Sequence, residues 1–232
     1  MNQPDIIFIS YNESNADKNW VELKSRFPGA KRVHGVSGIA NAHKQAAEKS
    51  SSEFFFVVDG DNRIKKDFDF SVEGLTLKEN TLYVWRCHNP INDLIYGYGA
   101  VKLYNKKLLL NRVEGQYLDL ATTVTEHYKI VPVVASETHF FHTKEEAWRG
   151  AFRESVKLSS EMILRQKNDE TKQRLERWKV VNPSYKNSLW CLKGVNDGLA
   201  FSKRLKENED LKSLINDFDW LKEQFRKIEN EY

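Results

Sequence analysis

Phe54-Phe55-Phe56-Val57-Val58-Asp59-Gly60-Asp61-Asn62-Arg63 is the stretch on which the reading of this chain turns. Its apolar run is made of strand-favouring residues and leaves no period-two alternation, so it reads as a central strand covered on both faces. The strand ends abruptly in two carboxylates. Asp59 and Asp61 stand two residues apart, which in extended chain sends both side chains to one side, and Gly60 between them lets backbone or ligand approach closely. Such a pair is half of a site for a hard divalent cation, leaving Mg²⁺ or Mn²⁺ open positions that phosphate oxygens can fill. A strand that simply ends in a solvated Asp-Gly turn satisfies the same pattern.

Upstream, Asp5 to Ser10 reads as a first strand, and the turn and cap formers Asn12, Ser14, Asn15 and Asp17 start a helix from about Asp17. Trp20, Leu23 and Phe27 recur at helical spacing until Pro28-Gly29 stops them. Lys31-Arg32-Val33-His34 is a short second strand, with Ser37 as the N-cap of a helix whose inward face is Ile39, Ala42, Ala46 and Ala47. Strand and helix alternate, which predicts an α/β domain with parallel strands and ligands bound at their carboxyl ends.

Taken together, Asp5-Ile6-Ile7-Phe8-Ile9-Ser10-Tyr11-Asn12-Glu13, the helix Gly38 to Ala47 and the Asp59-Gly60-Asp61 strand end resemble the nucleotide-sugar half of GT-A glycosyltransferases, especially the family-two group. The resemblance covers roughly the first sixty residues and implies a GT-A-like fold, a Rossmann-like nucleotide-sugar-binding sheet with flanking helices. It further implies a metal-dependent transfer of sugar from a nucleotide sugar, a uridine diphosphate sugar first of all, to a hydroxyl. Asp61 would coordinate Mn²⁺ or Mg²⁺, and Asp59 would hold the ribose or reach the metal through water. His139 or His142, in Ser136-Glu137-Thr138-His139-Phe140-Phe141-His142, would complete the metal site. Ser10, Tyr11, Asn12 and Glu13 would hold base and ribose with Tyr11 as a stacking surface, and His34, Asn41 and Lys44 would complete the pocket beside Gly60. For Lys44, a solvated helix residue is an equal reading.

Further along, Thr81 to Arg86 is a strand, and Asn89-Pro90-Ile91-Asn92-Asp93-Leu94-Ile95-Tyr96-Gly97-Tyr98-Gly99 is long, polar and aromatic enough to read as a binding loop. Val101 to Tyr104 and Leu108 to Leu110 are expected to continue the sheet or its edge, and Ile130 to Val134 forms a strand whose Pro132 demands an edge or a bulge. If the transfer inverts configuration it needs a carboxylate base. Asp119 is the first candidate, with Asp93 and Glu126 as competitors.

From Glu145 onward the period is helical, and a C-terminal helical region is expected, giving domains of residues 1–143 and 144–232. Arg149, Arg153 and Lys157 form a row beside the apolar face of Trp148, Phe152 and Val156, either a phosphate-binding row or the wetted shoulder of a packed helix. Leu211 to Ile228 reads as one closing helix. The strings Asn89 to Gly99 and Trp148 to Ser160 also resemble segments of small glycosyltransferase-like proteins of tailed phages. That likeness implies DNA carrying 5-hydroxymethylpyrimidine, such as 5-hydroxymethylcytosine, as the favoured acceptor, with Arg174 to Lys193 adding basic and aromatic surface. A glycan or protein acceptor, or a binding or assembly module without turnover, are the rival readings.

Composition bounds the rest. Among 232 residues, 36 Lys and Arg nearly balance 33 Asp and Glu, so global charge neither demands nor excludes a nucleic-acid partner. Cys87 and Cys191 are far apart, which supports neither a zinc knuckle nor a disulfide framework. Met1-Asn2-Gln3-Pro4-Asp5 lacks the start of a signal peptide and no apolar run reaches bilayer length, so the expectation is a cytoplasmic protein without a membrane span, in an infected bacterial host if phage-encoded. Neither Gly-x-Gly-x-x-Gly nor Gly-Lys-Thr occurs, which removes support for dinucleotide and P-loop readings.

Overall fold

The computed structural model describes residues 3–97, 100–110, 118–163 and 168–231. The chain forms two units, Met1–Val113 with Thr123–His139, and Glu114–Thr122 with Phe140–Tyr232. The first unit is α/β and most of the second is helical, the class the sequence predicts. The division falls after His139 rather than after residue 143, and residues 118–122 group with the helices.

In the first unit the order is β1 (Asp5–Ser10), α1 (Ala16–Arg26), β2 (Lys31–His34), α2 (Ile39–Lys49), β3 (Phe54–Asp59), β4 (Asn62–Ile64), β5 (Thr81–Asn89), β6 (Leu94–Tyr96), β7 (Val101–Asn105), α3 (Lys106–Leu110) and β8 (His127–Thr138). The short α4 (Ala121–Val124) straddles the division. The sheet runs β2-β1-β3-β7-β5-β8-β4, with β6 paired to β5. β1 is parallel to β2 and β3, β7 is antiparallel to both β3 and β5, and β8 is parallel to β5. It follows that β1, β2, β3, β5 and β8 point the same way and end at one edge of the sheet, the edge at which α/β folds bind ligands.

The apolar run of β3 is where its composition demands: Phe55, Phe56, Val57 and Val58 are wholly buried. Phe56 packs on Phe70 and Trp85 with ring centroids 5.0 and 5.1 Å apart. Phe70 comes from the stretch Asp67 to Ser71, irregular as expected, yet it folds over the sheet with φ 59°. Arg26 at the end of α1 fastens that stretch by donating to the carbonyls of Ile64, Lys65, Lys66 and Phe68.

Several boundaries differ from expectation for local reasons. Leu108 to Leu110 belong to helix α3 rather than to the sheet: Asn105 Oδ1 accepts from the Lys107 N–H at 2.9 Å, and Lys-Lys-Leu-Leu-Leu holds strong helix formers without β-branching. Gly38, at φ 83°, occupies the N-cap of α2 in place of Ser37, without a side-chain cap. Pro132 does sit in an irregularity, since Trp85 pairs with Val131 and the next residue, Arg86, with Val134. The expected binding loop is partly a hairpin, with Asn89 paired to Leu94. Tyr98 and Gly99 of that loop, and Tyr117 ahead of Asp119, lie outside the described residues.

The second unit holds α5 (Lys144–Ser159), α6 (Asp169–Trp178), α7 (Ser188–Glu207), a 3-10 segment (Glu209–Asn216) and α8 (Phe218–Glu231). Thr143 and Glu146 form a reciprocal capping box that starts α5. α5 and α7 approach to backbone contact: a Cβ on Gly194 would strike the Trp148 carbonyl, and one on Gly198 would lie 2.6 Å from that of Phe152. Trp148, Phe152, Phe201 and Phe225 fill the core beside them. The closing segment is not one helix. Asp217 interrupts it, its carboxylate accepting from the Asp219 and Trp220 N–H groups to cap α8.

Candidate functional site

The carboxyl ends of β1, β2 and β3 bring together most of the residues that the sequence singles out. Ser10, the last residue of β1, is buried; its hydroxyl lies 3.0 Å from His34 Nδ1 and accepts from Arg32 Nε at 3.0 Å. Arg32 also pairs with Asp17 at 2.7 Å. Ser10 and His34 therefore stand together, held by an arginine that the sequence reading did not single out. Tyr11 and Asn12 follow on the surface, and Glu13 turns back so that its Oε2 accepts from the Tyr11 N–H at 2.8 Å. Asn41 and Lys44 lie exposed on α2, and Asn41 donates to the Ser37 carbonyl at 3.1 Å.

Gly60 is required by crowding. A Cβ there would lie 2.8 Å from Ser10 Cβ and 3.0 Å from Glu13 Oε2, while its carbonyl accepts from Asn19 Nδ2 at 2.9 Å. The β3 turn is thus pressed against the β1 turn, and Glu13 joins the two aspartates in one acidic cluster. The aspartates are not equivalent. Asp59 Oδ2 accepts from Lys102 at 3.0 Å, whereas its Oδ1 is enclosed without a hydrogen-bond partner. Asp61 keeps a little exposed surface in a densely enclosed position and accepts from Asn62 Nδ2 at 2.6 Å. Burial first, then repulsion from Asp59 and from Glu13, pushes its carboxyl up to about 7 against the Asn62 hydrogen bond.

Lys102 is the residue that sequence reasoning missed at this point. The signal was present: a lysine inside the otherwise apolar, buried strand Val101–Asn105 must have an ionic partner. Beneath Asp61, the Asn62 Oδ1 accepts from Cys87 Sγ and Ser136 Oγ, each at 3.3 Å. Burial pushes the Cys87 thiol up to about 12, so it serves as a buried donor and not as a nucleophile.

Beside this cluster, at the ends of β5 and β8, runs a second chain of titratable groups. Asp93, at φ 54° and 77% exposed, lies 3.0 Å from His88 Nε2; His88 Nδ1 lies 3.6 Å from Glu137, and Glu137 lies 3.5 Å from His139 Nε2. Lys65, bonded to Glu137 at 2.7 Å, is the main reason that its carboxyl is held below the usual range, with His139 adding to it. The His139 N–H donates to the Asp61 carbonyl at 2.8 Å, joining the two groups through the backbone.

The expected metal set is not assembled in full. Among the described residues no three His, Cys, Asp or Glu side chains gather to hold a metal ion. His139 leans on Glu137, and His142 belongs to the second unit, exposed, its ring 6.2 Å from that of Phe141. What the chain offers is the enclosed Asp59 Oδ1 and the Asp61 carboxylate. That suits a small hard cation taking one or two carboxylates and completing its shell with phosphate oxygens and water.

Asp119 also belongs to the second unit, where its Oδ1 accepts from the Thr122 N–H at 3.1 Å and its Oδ2 pairs with Lys157 at 3.4 Å. The basic row is likewise engaged within that unit. Arg149 pairs with Glu145 at 3.2 Å and lies over Phe218, and Arg153 donates to the Ile215 carbonyl and to Asn216. In the stretch Arg174 to Lys193, Arg174 pairs with Glu154, Lys179 with Glu176, Tyr185 packs on Phe141 and Trp190 on Phe225; the side chains of Arg177, Lys179 and Lys186 are exposed.

No protein-family model and no curated protein matches the chain. Among solved structures it is similar to HddC from Yersinia pseudotuberculosis, at 16% identity over 57% of this chain and 71% of that one, with a TM-score of 0.39. It is also similar to a glycosyltransferase involved in glycosylation of the major capsid of PBCV-1, at 13% identity over 60% and 94% of the two chains, TM-score 0.39. A third is a putative glucose-1-phosphate thymidylyltransferase from Bacillus anthracis, at 15% identity over 54% and 67%, TM-score 0.32. Likeness of this size assigns no activity. No helix among the described residues is long and apolar enough to cross a membrane.

Proposed function

We infer that the protein is a glycosyltransferase that moves a sugar from a nucleotide sugar, a uridine diphosphate sugar, to a hydroxyl acceptor. The observation that carries this reading is the crowded acidic turn Asp59-Gly60-Asp61 with Glu13, at the edge where five strands end in the same direction. Three carboxylates and one lysine leave an excess of negative charge, which a divalent cation bearing a diphosphate would relieve. Asp61 and Asp59 Oδ1 would hold Mn²⁺ or Mg²⁺, and bound there the ion would supply positive charge against the departing diphosphate.

The chain's own residues supply the rest. Tyr11 offers an exposed ring for the base, and Ser10 with His34 and Arg32 offers hydrogen bonds at the adjoining strand ends. Lys102 holds the Asp59 carboxylate in place through its 3.0 Å contact with Oδ2. In an inverting transfer the acceptor oxygen attacks the anomeric carbon as its bond to the diphosphate breaks, and the hydroxyl proton passes to a carboxylate. Asp93 suits that role: it is exposed at the same sheet edge and oriented by His88. Asp119, engaged with Lys157, is the weaker candidate.

The acceptor that best joins these features to the phage resemblance is DNA carrying 5-hydroxymethylpyrimidine, met by the exposed basic surface of the stretch Arg174 to Lys193. Labelled sugar transfer tested against hydroxymethylated DNA, unmodified DNA, glycans and protein is the deciding experiment. Transfer to a glycan or protein alone would overturn the DNA acceptor. Absence of transfer together with absence of uridine diphosphate binding in the presence of Mn²⁺ would overturn the activity itself.

A further inference from the structure

Asn89, the last residue of β5, is wholly buried, and neither its Oδ1 nor its Nδ2 has a hydrogen-bond partner. Because both atoms are unpartnered, the observation does not depend on which way the amide is turned. Asn92, 2% exposed in the same hairpin, leaves its Nδ2 unpartnered as well, while its Oδ1 accepts from the Leu94 N–H at 3.3 Å. Buried amides are hydrogen-bonded as a rule, and an apolar side chain of the same shape would avoid the desolvation cost. Two such amides in one turn therefore point to a partner that arrives from outside.

Their position says which partner. Asn89 follows Cys87 by two residues, so the two share one face of β5. Cys87 bonds to Asn62, and Asn62 bonds to Asp61, which places the stranded amide on the face that carries the acidic turn and at the same sheet edge. The free groups are two NH2 donors and one carbonyl acceptor, all neutral. Phosphate, which only accepts, is opposed by the carbonyl and by the acids nearby, whereas vicinal hydroxyls donate and accept at once. Reaching these groups requires the hairpin tip to shift. The backbone bonds at the tip are long, Asn92 N–H to the Asn89 carbonyl at 3.4 Å and Leu94 N–H to Asn92 at 3.3 Å, with Asp93 in the left-handed region; Ile91 is buried and Asp93 meets His88 at 3.0 Å, and both contacts must give for the tip to move.

We propose that Asn89 and Asn92 are the residues that recognise the transferred sugar, gripping a pair of its hydroxyls when the donor binds. This rests on the nucleotide-sugar reading above. The test is calorimetry of the full chain with Mn²⁺ and, in turn, uridine diphosphate, UDP-glucose, UDP-galactose and UDP-N-acetylglucosamine, comparing wild type with Asn89→Leu and Asn92→Ala. Asn89→Leu is expected to bind uridine diphosphate as wild type does, to bind the preferred sugar nucleotide about tenfold more weakly, the worth of one or two neutral hydrogen bonds, and to melt no lower than wild type without ligand. Should the leucine variant not fold, Asn89→Ser carries the same expectation.

Unchanged affinity for every sugar nucleotide in the Asn89 and Asn92 variants overturns the proposal. So does an equal loss for uridine diphosphate and its sugars, or a lowered melting temperature of Asn89→Leu without ligand, because either marks a structural amide. If wild type binds neither uridine diphosphate nor its sugars, the nucleotide reading falls and this inference falls with it.

Discussion

Replacing Asp61 by asparagine should make the metal-free protein more stable at pH 8 and leave it unchanged at pH 4. Burial, then the charges of Asp59 and Glu13, push the folded carboxyl from an ordinary 3.8 up to about 7. A carboxyl raised in this way is protonated in the folded state and ionised in the unfolded chain between those two values, so folding loses free energy as pH climbs from about 4 to about 7. Three pH units at about 1.4 kcal/mol each give roughly 4 kcal/mol as an upper limit, and the surface that Asp61 retains reduces this to about 2–4 kcal/mol. Asparagine carries no charge to repel Asp59 and Glu13, and its carbonyl can still accept from Asn62. Urea unfolding with a chelator present, at pH 4, 6 and 8, reads the difference directly. Added Mn²⁺ should then reverse the order at pH 8 by stabilising the wild type alone. Equal midpoint shifts at pH 4 and pH 8, or a destabilised variant at pH 8, would refute the electrostatic account of the site.

At the opposite end of β1, burial would raise the Asp5 carboxyl, but Lys31 and the Ser51 N–H and hydroxyl outweigh it and hold it at about 2. Asp5→Asn should therefore cost about 2 kcal/mol at pH 7, with the difference vanishing as pH falls through about 4 to 2, followed by thermal melts across that range. Lys102→Met strands the Asp59 carboxylate and should destabilise by about 2–4 kcal/mol, with partial rescue in the double variant Lys102→Met/Asp59→Asn; additive losses in the double-mutant cycle would contradict the pairing. Gly194→Ala should separate α5 from α7 at the Trp148 carbonyl and cost at least about 2 kcal/mol, seen as early loss of amide protection in those helices on hydrogen exchange. Asp93→Asn should lower kcat at least about a hundredfold while leaving donor affinity unchanged, and an equal fall in donor binding would place Asp93 in donor recognition instead.

Residue pattern alone made most elements of the first unit legible, with Leu108 to Leu110 and the Ser37 cap as exceptions. The short apolar run of β3, rich in β-branched and aromatic residues, points to a strand with both faces covered, and Pro28-Gly29 with the helical spacing before it points to strand-helix alternation. That this strand ends at Asp59 was legible too, because Gly60 after it favours a turn. Local patterns were silent wherever the outcome depended on a partner distant in the chain. That Asp59 meets Lys102, that Glu13 folds back on Gly60, and that His88 links Asp93 to Glu137 follow from strand order, which residue spacing does not encode. The basic row on α5 shows the same division: its period was readable, but only packing could decide that Phe218, Asn216 and Asp119 would take up its charges. Chain-local propensity names the elements, whereas burial and charge compensation act between elements, and those decide which carboxylates and amides remain available to a ligand.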